Sequence, residues 1–155
     1  MGERGEVMSL ATILIIEDQA SVRGLLVQVL KDAGYQVWEA DNGRLGLEQF
    51  RAHPVDLVLT DLEMPEMNGL EVIVALTRSY VGVKIMAMSG ANPAELQKAT
   101  RCGARQIFPK PLDLTALLQA IHAELRPQTL NEHALTGTSS AVHLRLPLGA
   151  SALPR

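Results

Sequence analysis

Short apolar runs alternate with longer segments of helical period through most of the chain. The run ATILII, residues 11–16, carries apolar side chains on both faces, which is the pattern of a strand covered on two sides. In the next segment Val22, Leu25, Leu26, Val29 and Leu30 recur at the spacing of one helical face. Gly34 then stands where a C-terminal cap is expected, so the sequence predicts a strand followed by a helix.

The same alternation occurs four more times. Asn92 and Asp113 stand at N-cap positions, and Pro93 suits the first turn of a helix. The second helix is predicted to be weaker, since Gly46 inside it costs about 1 kcal/mol relative to alanine. The further strands are expected at 35–40, 55–60, 83–88 and 104–108, and the further helices at 42–53, 69–79, 92–103 and 113–125.

Five strands that are each followed by a helix favour a parallel sheet, because right-handed crossovers place the helices on its two faces. For a doubly wound α/β domain of this length, the expected fold is flavodoxin-like, with the five strands in the order 2-1-3-4-5. That order reverses between strands one and three. Ligands of such sheets bind at the carboxyl ends of the strands beside the reversal.

The domain is predicted to span residues 10–126. Residues 1–9 are expected to be a flexible N-terminus, and 127–155 a disordered tail rich in polar residues, glycine and proline. Within that tail VHLRLPL alternates like a strand and could pair as an edge strand or dock a partner. Pro147 argues against an interior strand there.

Composition excludes several classes of function. The formal charge is −3 and Lys and Arg form no cluster, so we expect no nucleic-acid partner. The longest early apolar run is far short of the roughly 20 residues that cross a membrane, so no membrane association is expected. A single cysteine cannot form an internal disulfide, and no secretory segment is visible. The protein is therefore expected in the cytoplasm.

Reactive side chains stand at the predicted strand ends, and the sheet order brings those ends to one edge. Glu17 and Asp18 follow the first strand, Asp61 the third, Ser89 the fourth and Lys110 the fifth. Clustered carboxylates without histidine or cysteine suit a hard cation such as Mg²⁺. An aspartate beside such an ion can serve as a nucleophile and carry an acyl phosphate. Serine could donate a hydrogen bond to a phosphoryl oxygen, and lysine could supply a positive charge.

The segments ILIIEDQ, DLVLTDLEMPEMNGLEV, KIMAMSG and FPKPLD, in this order, closely resemble the receiver domain of bacterial two-component response regulators. The resemblance implies that Asp61 accepts a phosphoryl group from a sensor histidine kinase or phosphotransfer protein. It also implies Mg²⁺ ligation by Asp18 and Asp61, a water-mediated contact from Glu17 and a ligand from the Glu63 carbonyl. Ser89 and Lys110 would contact the phosphoryl group.

The resemblance further implies an output surface formed by the fourth helix, the fifth strand and the fifth helix. Two positions vary from the family pattern. Ile107 occupies the place of a switching aromatic ring, and Phe108 is expected to point to the other face of the strand. Glu63 adds a fourth carboxylate near the site.

We hypothesise a stand-alone receiver domain that is phosphorylated on Asp61 with Mg²⁺ and signals through contact with a downstream protein. It is expected to act on no separate substrate, so it is not an enzyme in that sense. One alternative is a receiver-like interaction module that works without phosphorylation, favoured by Ile107 and by the tail, which could occupy the output face. A second is an aspartate-nucleophile phosphatase, which is disfavoured because such enzymes carry Asp-x-Asp after the first strand, where this chain has Glu17-Asp18-Gln19.

Overall fold

The computed structural model describes residues 10–90 and 92–126, which fold as alternating strands and helices. The expected flexible N-terminus, 1–9, and disordered tail, 127–155, lie outside the described residues. Strands begin one or two residues later than the sequence pattern suggests. The elements are β1 (Thr12–Ile16), α1 (Ala20–Asp32), β2 (Gln36–Ala40), α2 (Gly43–Ala52), β3 (Leu57–Asp61), α3 (Gly69–Ser79), β4 (Ile85–Ser89), α4 (Pro93–Cys102), β5 (Gln106–Pro109) and α5 (Leu114–Leu125).

All strand pairs are parallel, and the sheet has the order β2-β1-β3-β4-β5. The predicted fold and strand order are therefore confirmed. Every residue of β1, β3 and β4 is buried, whereas the edge strands β2 and β5 are partly exposed. Register places Asp61 beside Met88, and Ser89 beside Pro109. The carboxyl ends of the strands thus meet along one edge.

The two faces of the sheet carry separate cores, as alternation along each strand requires. Leu14 and Ile16 face one core, which α2, α3 and α4 cover through side chains such as Val72, Leu76 and Ala99. The opposite face carries Ile13 and Ile15. It is covered by α1 and α5, whose fully buried residues are Leu26, Leu30, Leu117 and Ile121. Helices lie on both faces, as predicted.

The sequence pattern is wrong about one residue of α1. Leu25 was expected on the buried face, but 52% of its surface is exposed. The helix instead turns Leu26 and Leu30 into the core, and Val22 and Val27 flank them. Successive helical residues are rotated by about 100°. Leu25 therefore lies outside the buried stripe although it shares the apolar spacing.

Gly46 has a packing role that its low helix propensity conceals. A Cβ atom at this position would lie 2.3 Å from the Ile16 Cδ1 atom. The glycine allows α2 to approach β1 closely and so to cover the strand that leads into the acidic residues at 17 and 18. The predicted caps are present: Asn92 accepts hydrogen bonds from the first turn of α4, and Asp113 accepts one from the Ala116 N–H. No helix among the described residues is both long and apolar enough to cross a membrane.

Candidate functional site

The reactive residues named from the sequence meet at the carboxyl edge of the sheet. Asp61 and Ser89 are the last residues of β3 and β4, while Glu17 and Lys110 directly follow β1 and β5. Glu17, Asp61 and Ser89 are 0%, 2% and 1% exposed, although all are polar or charged. Charged side chains are rarely buried to this extent unless they have partners or a function. This edge is the candidate site.

The turn after β3 holds Asp61 against the start of α3. A Cβ atom on Gly69 would lie 2.1 Å from the Asp61 carbonyl oxygen, so only glycine allows this approach. The Gly69 N–H donates a hydrogen bond to the Leu62 carbonyl at 3.1 Å. Asn68 and Glu71 form a capping box that begins α3 at this point. The backbone that carries Asp61 is therefore fixed from both sides.

Three carboxylates converge at the site. Glu17, Asp18 and Asp61 each offer one oxygen, and these oxygens all lie within 4.8 Å of one another. Such a spacing permits all three to face one ion. A donor set made only of carboxylate oxygens suits a hard divalent cation, and Mg²⁺ binds through one or two carboxylates plus water. The residues present therefore fit Mg²⁺.

Lys110 joins two of these carboxylates. Its Nζ atom donates a hydrogen bond to Glu17 Oε2 at 3.1 Å and lies 3.4 Å from Asp61 Oδ2. Its backbone N–H donates to the Ser89 carbonyl at 2.9 Å, which ties the end of β4 to the residue after β5. One ammonium group among three carboxylates leaves the cluster with an excess of negative charge.

The electrostatics of the cluster are reflected in three pKa shifts. Burial raises the pKa of the Asp61 carboxyl, and the attraction of Lys110 and a hydrogen bond from the Glu63 backbone only partly offset this. Burial and then repulsion from Asp61 raise the pKa of Glu17, while Lys110 opposes both effects. Burial would lower the pKa of Lys110, but contacts with Glu17 and Asp61 outweigh it and raise that pKa. The Glu17 and Asp61 carboxyls are therefore costly to ionise even beside Lys110, unless a further cation is bound.

Glu63 lies beside the cluster, as the sequence suggested. Its backbone N–H donates a hydrogen bond to Asp61 Oδ1 at 3.3 Å. Its exposed side chain reaches toward the loop after β4, since a Cβ atom on Gly90 would lie 3.5 Å from Glu63 Oε2. The roles predicted for the Glu63 carbonyl and for the Ser89 hydroxyl remain predictions.

Ile107, which occupies the place of the switching aromatic ring, and its neighbour Phe108 face opposite sides of the sheet. Ile107 packs against the core beneath α3 and α4, and Phe108 packs against the core beneath α1 and α5. The expectation from strand alternation is confirmed. The Phe108 ring therefore lies on the face of the sheet opposite to Ile107, so it does not take the place of the switching aromatic ring.

Arg23 is a site residue that the sequence pattern does not reveal. Its Nη1 atom donates to the Glu17 carbonyl at 2.8 Å and lies 3.5 Å from the Asp18 carbonyl. A lone arginine on the polar side of a helical pattern is ordinarily a solvated residue. Only the rotation of α1 under the loop that precedes it brings the guanidinium to these carbonyls, so no local signal could have identified it.

The chain resembles known proteins over most of its length. The response regulator receiver domain model matches residues 13–122. CheY of Thermotoga maritima, a chemotaxis protein, is 32% identical over 112 residues, which are 71% of this chain and 93% of that protein. NtrC of Azospirillum brasilense, a DNA-binding transcriptional regulator, is 32% identical over 142 residues, or 91% of this chain but 29% of that protein.

The structural comparison gives the same result. The response regulator TrrA of Thermotoga maritima, solved in complex with Mg²⁺ and BeF, superposes with a TM-score of 0.70 at 27% identity and covers 75% of this chain and 100% of that one. The chain spans 52%, 29% and 28% of the lengths of three transcriptional regulators that it matches. With the family model matching well over half of its residues, the chain belongs to the response regulator receiver domain family.

Proposed function

We propose that the chain accepts a phosphoryl group on Asp61 in a Mg²⁺-dependent reaction and that a sensor histidine kinase or phosphotransfer protein supplies it. One observation carries the proposal: a carboxylate that is 2% exposed ends a central strand, with two acidic side chains and an ammonium group around it. Buried like charges that are only partly compensated are typical of functional sites.

The transfer step forms one bond and breaks one. An Asp61 carboxylate oxygen attacks the phosphorus atom, the bond from phosphorus to the donor nitrogen breaks, and its electron pair stays with the donor imidazole. Catalysis of such a step consists mainly of positioning and charge neutralisation. Asp61 is positioned by Gly69 and by the Glu63 N–H, and Lys110 stands 3.4 Å from one of its oxygens.

The acidic residues supply the environment for a divalent ion. When bound, Mg²⁺ neutralises charge on the carboxylates and on phosphoryl oxygens. Asp18 and Asp61 would hold it, with Glu17 acting through water and the Glu63 carbonyl as a further ligand. Both Glu17 oxygens already accept hydrogen bonds, one from the Gln19 N–H at 3.2 Å and one from Lys110, which agrees with an indirect role.

Phosphorylation of Asp61 changes the charges that its neighbours face. Lys110 lies between Glu17 and Asp61 and can move its hydrogen bond to a phosphoryl oxygen within its reach. The Ser89 hydroxyl is buried at the end of the adjacent strand and can donate to a second oxygen. Because Ser89 and Lys110 are joined through their backbones, both report on the phosphoryl group together. We infer that α4, β5 and α5 transmit the change to a downstream protein.

Further expectations accompany this proposal. We propose that the domain acts on no separate substrate, phosphorylating and dephosphorylating only itself, and that it works in the cytoplasm without a membrane partner. The expectation of no nucleic-acid partner stays a prediction, since NtrC, a relative of which this chain spans 29%, is a DNA-binding regulator. A binding titration of the full chain with duplex DNA at low salt tests it.

Ile107 favours one alternative, a receiver-like module that binds its partner without phosphorylation. An isoleucine packed into the core beneath α3 and α4 cannot perform the movement expected of an aromatic ring there. That module predicts equal partner affinity for the wild type and for Asp61→Asn after treatment with a phosphodonor. Phosphorylation-dependent signalling predicts that only the wild type changes its affinity.

The decisive experiment is incubation of the full chain with Mg²⁺ and a small acyl phosphate, followed by intact-mass measurement. We expect a base-labile adduct on the wild type, none on Asp61→Asn and little when a chelator replaces Mg²⁺. Asp32→Asn is the matched control, because this exposed aspartate lies at the end of α1 and its carboxylate is hydrogen-bonded only to Gln28 among side chains of the described residues. An adduct that survives Asp61→Asn would exclude the proposed acceptor. A screen of candidate kinases then identifies the natural donor.

A further inference from the structure

Arg23 contacts the backbone of the acidic loop, residues 17–19, which joins β1 to α1. The guanidinium Nη1 donates to the Glu17 carbonyl at 2.8 Å, and the Asp18 carbonyl lies 3.5 Å from the same atom. These carbonyls belong to the two residues that supply two of the three clustered carboxylates. Hydrogen bonds from a charged donor are about twice as strong as those between neutral groups. Arg23 therefore constrains the backbone of this acidic pair.

The guanidinium is itself held in place. Its side chain is 19% exposed, and its Nε lies 3.6 Å from Glu39 Oε1 on the neighbouring strand β2. Glu39 is more than half exposed, so this pair contributes little stability by itself. The planar guanidinium can nevertheless direct one edge at Glu39 and another at the loop, which a lysine ammonium cannot do. Its orientation is thus fixed from two sides.

The loop needs such a constraint because its carboxylates repel one another. In the absence of a divalent ion, repulsion between like charges acts to move Glu17 and Asp18 away from Asp61. Gln19, the N-cap of α1, makes no side-chain capping hydrogen bond that could resist this movement. The Glu17 N–H is fixed to the Ala40 carbonyl at 3.0 Å, but the carbonyls that follow are contacted by Arg23.

We propose that Arg23 is a positioning residue that acts through the Glu17 and Asp18 backbone to keep their carboxylates directed at Asp61, and that it thereby strengthens Mg²⁺ binding. The inference rests on the divalent site of the proposed function. Residues that orient metal ligands typically change metal affinity by about 10–100-fold when they are replaced. Arg23 contacts backbone carbonyls and Glu39 rather than the clustered carboxylate oxygens, so its role is positioning and not catalysis.

The charge of Arg23 predicts the opposite result, which makes the proposal testable by sign. A guanidinium near a cation site repels the cation, so its removal would tighten Mg²⁺ binding if charge alone mattered. Loss of positioning weakens binding instead. Arg44→Met is the matched control, since Arg44 carries the same charge but is exposed and pairs only with Glu48, at 2.9 Å, among acidic groups of the described residues.

The experiment measures the Mg²⁺ dissociation constant of the full chain by calorimetry with MgCl₂ alone. We expect Arg23→Met to raise the constant about tenfold or more and Arg44→Met to leave it within about twofold. Arg23→Lys keeps the charge and tests the same point should Arg23→Met not fold. Positioning predicts a raised constant for the lysine variant, whereas a charge effect predicts no change. An unchanged or lowered constant for a folded Arg23 variant would overturn the proposal.

A second measurement separates positioning from direct action. At saturating Mg²⁺, the phosphorylation rate of the Arg23 variant with a small acyl phosphate should return to the wild-type value, because only metal affinity has changed. A deficit that persists at saturation would contradict the proposed role. If the wild type itself bound no Mg²⁺, the divalent site of the proposed function would be refuted. If the wild type bound Mg²⁺ and the Arg23 variant bound it equally tightly, only the role of Arg23 would be refuted.

Discussion

The amino edge of the sheet, where the strands begin, and the carboxyl edge, where they end, differ in how their charged groups are paired. At the amino edge, charged groups are matched: the Thr12 N–H donates to Asp56 Oδ2 at 2.7 Å, Lys84 Nζ donates to the Glu124 carbonyl at 2.7 Å, and Arg105 pairs with the Glu124 carboxylate. At the carboxyl edge, one ammonium group contacts two of three clustered carboxylates. The charged groups of the amino edge thus have hydrogen-bonding partners, whereas the carboxyl edge retains an excess of negative charge.

Burial enlarges this difference. The Glu124 side chain is 24% exposed and that of Arg105 is 41% exposed, so water screens their pair. The Glu17 side chain is fully buried and that of Asp61 nearly so, where an unpaired charge is expensive. Substitutions at the carboxyl edge should therefore change the free energy of unfolding more. Removing a negative charge should stabilise the protein, whereas removing the positive charge of Lys110 should destabilise it.

The largest effect is expected for Lys110→Met. It removes the ammonium that contacts both Glu17 and Asp61, and breaking a buried pair in this way costs about 3 kcal/mol. Urea denaturation in the presence of a chelator measures the loss. Lys98→Met, on the exposed side of α4, should change stability by less than about 0.5 kcal/mol. Similar losses for the two variants would show that the acidic cluster does not depend on Lys110.

Gly69→Ala tests the backbone of the carboxyl edge. The added Cβ would lie 2.1 Å from the Asp61 carbonyl oxygen and 2.8 Å from Leu62 Cα, so backbone has to move. We expect a loss of about 2 kcal/mol in the free energy of unfolding, the scale of overpacking. Gly24→Ala is the control, because a Cβ in α1 there meets nothing within 4 Å and should stabilise the helix by about 1 kcal/mol. Two changes of the same sign would refute this explanation.

Asp61→Asn should stabilise the protein without divalent ions, since burial outweighs the attraction of Lys110 and raises the Asp61 pKa. A carboxyl whose pKa is raised on folding contributes most below its unfolded pKa. For Asp61 and Glu17, whose ordinary values are 3.8 and 4.5, this contribution is lost as pH rises through the raised pKa values.

The pH dependence of unfolding supplies the measurement for that variant. Between about pH 4 and neutrality, the difference in stability between Asp61→Asn and the wild type should grow as pH rises. Urea titrations at several pH values, with a chelator present, give this difference directly. If Asp61→Asn were less stable than the wild type at neutral pH, the attraction between Lys110 and the Asp61 carboxylate would have to exceed the cost of burying that charge.

Much of the fold and site could be predicted because both follow from order along the chain. Apolar periodicity distinguishes strands from helices, and right-handed crossovers then leave few arrangements of the strands. Once β1, β3, β4 and β5 lie side by side, the residues at their carboxyl ends have to meet. Asp61, Glu17 and Lys110 could therefore be placed together without coordinates.

What could not be predicted depends on how far and at what rotation the helices pack. Leu25 and Leu26 have the same apolar character, yet only the orientation of α1 decides which is buried. Gly46 weakens a helix in isolation but lets α2 approach Ile16. Arg23 contacts the Glu17 carbonyl only because α1 turns it under the loop. Such contacts are set by tertiary geometry and leave no periodic signal.

The smallest effect is expected at the amino edge, for Glu124→Gln. The change removes the charge that pairs with Arg105 but keeps the Glu124 carbonyl that accepts from Lys84. Exposed pairs contribute about 0.5 kcal/mol, and salt screens them, so the loss should shrink further in 1 M NaCl. Urea denaturation of the wild type and of Glu124→Gln at low and high salt measures both. A loss as large as that of Lys110→Met would show that the two edges do not differ in how strongly their charges are coupled to folding.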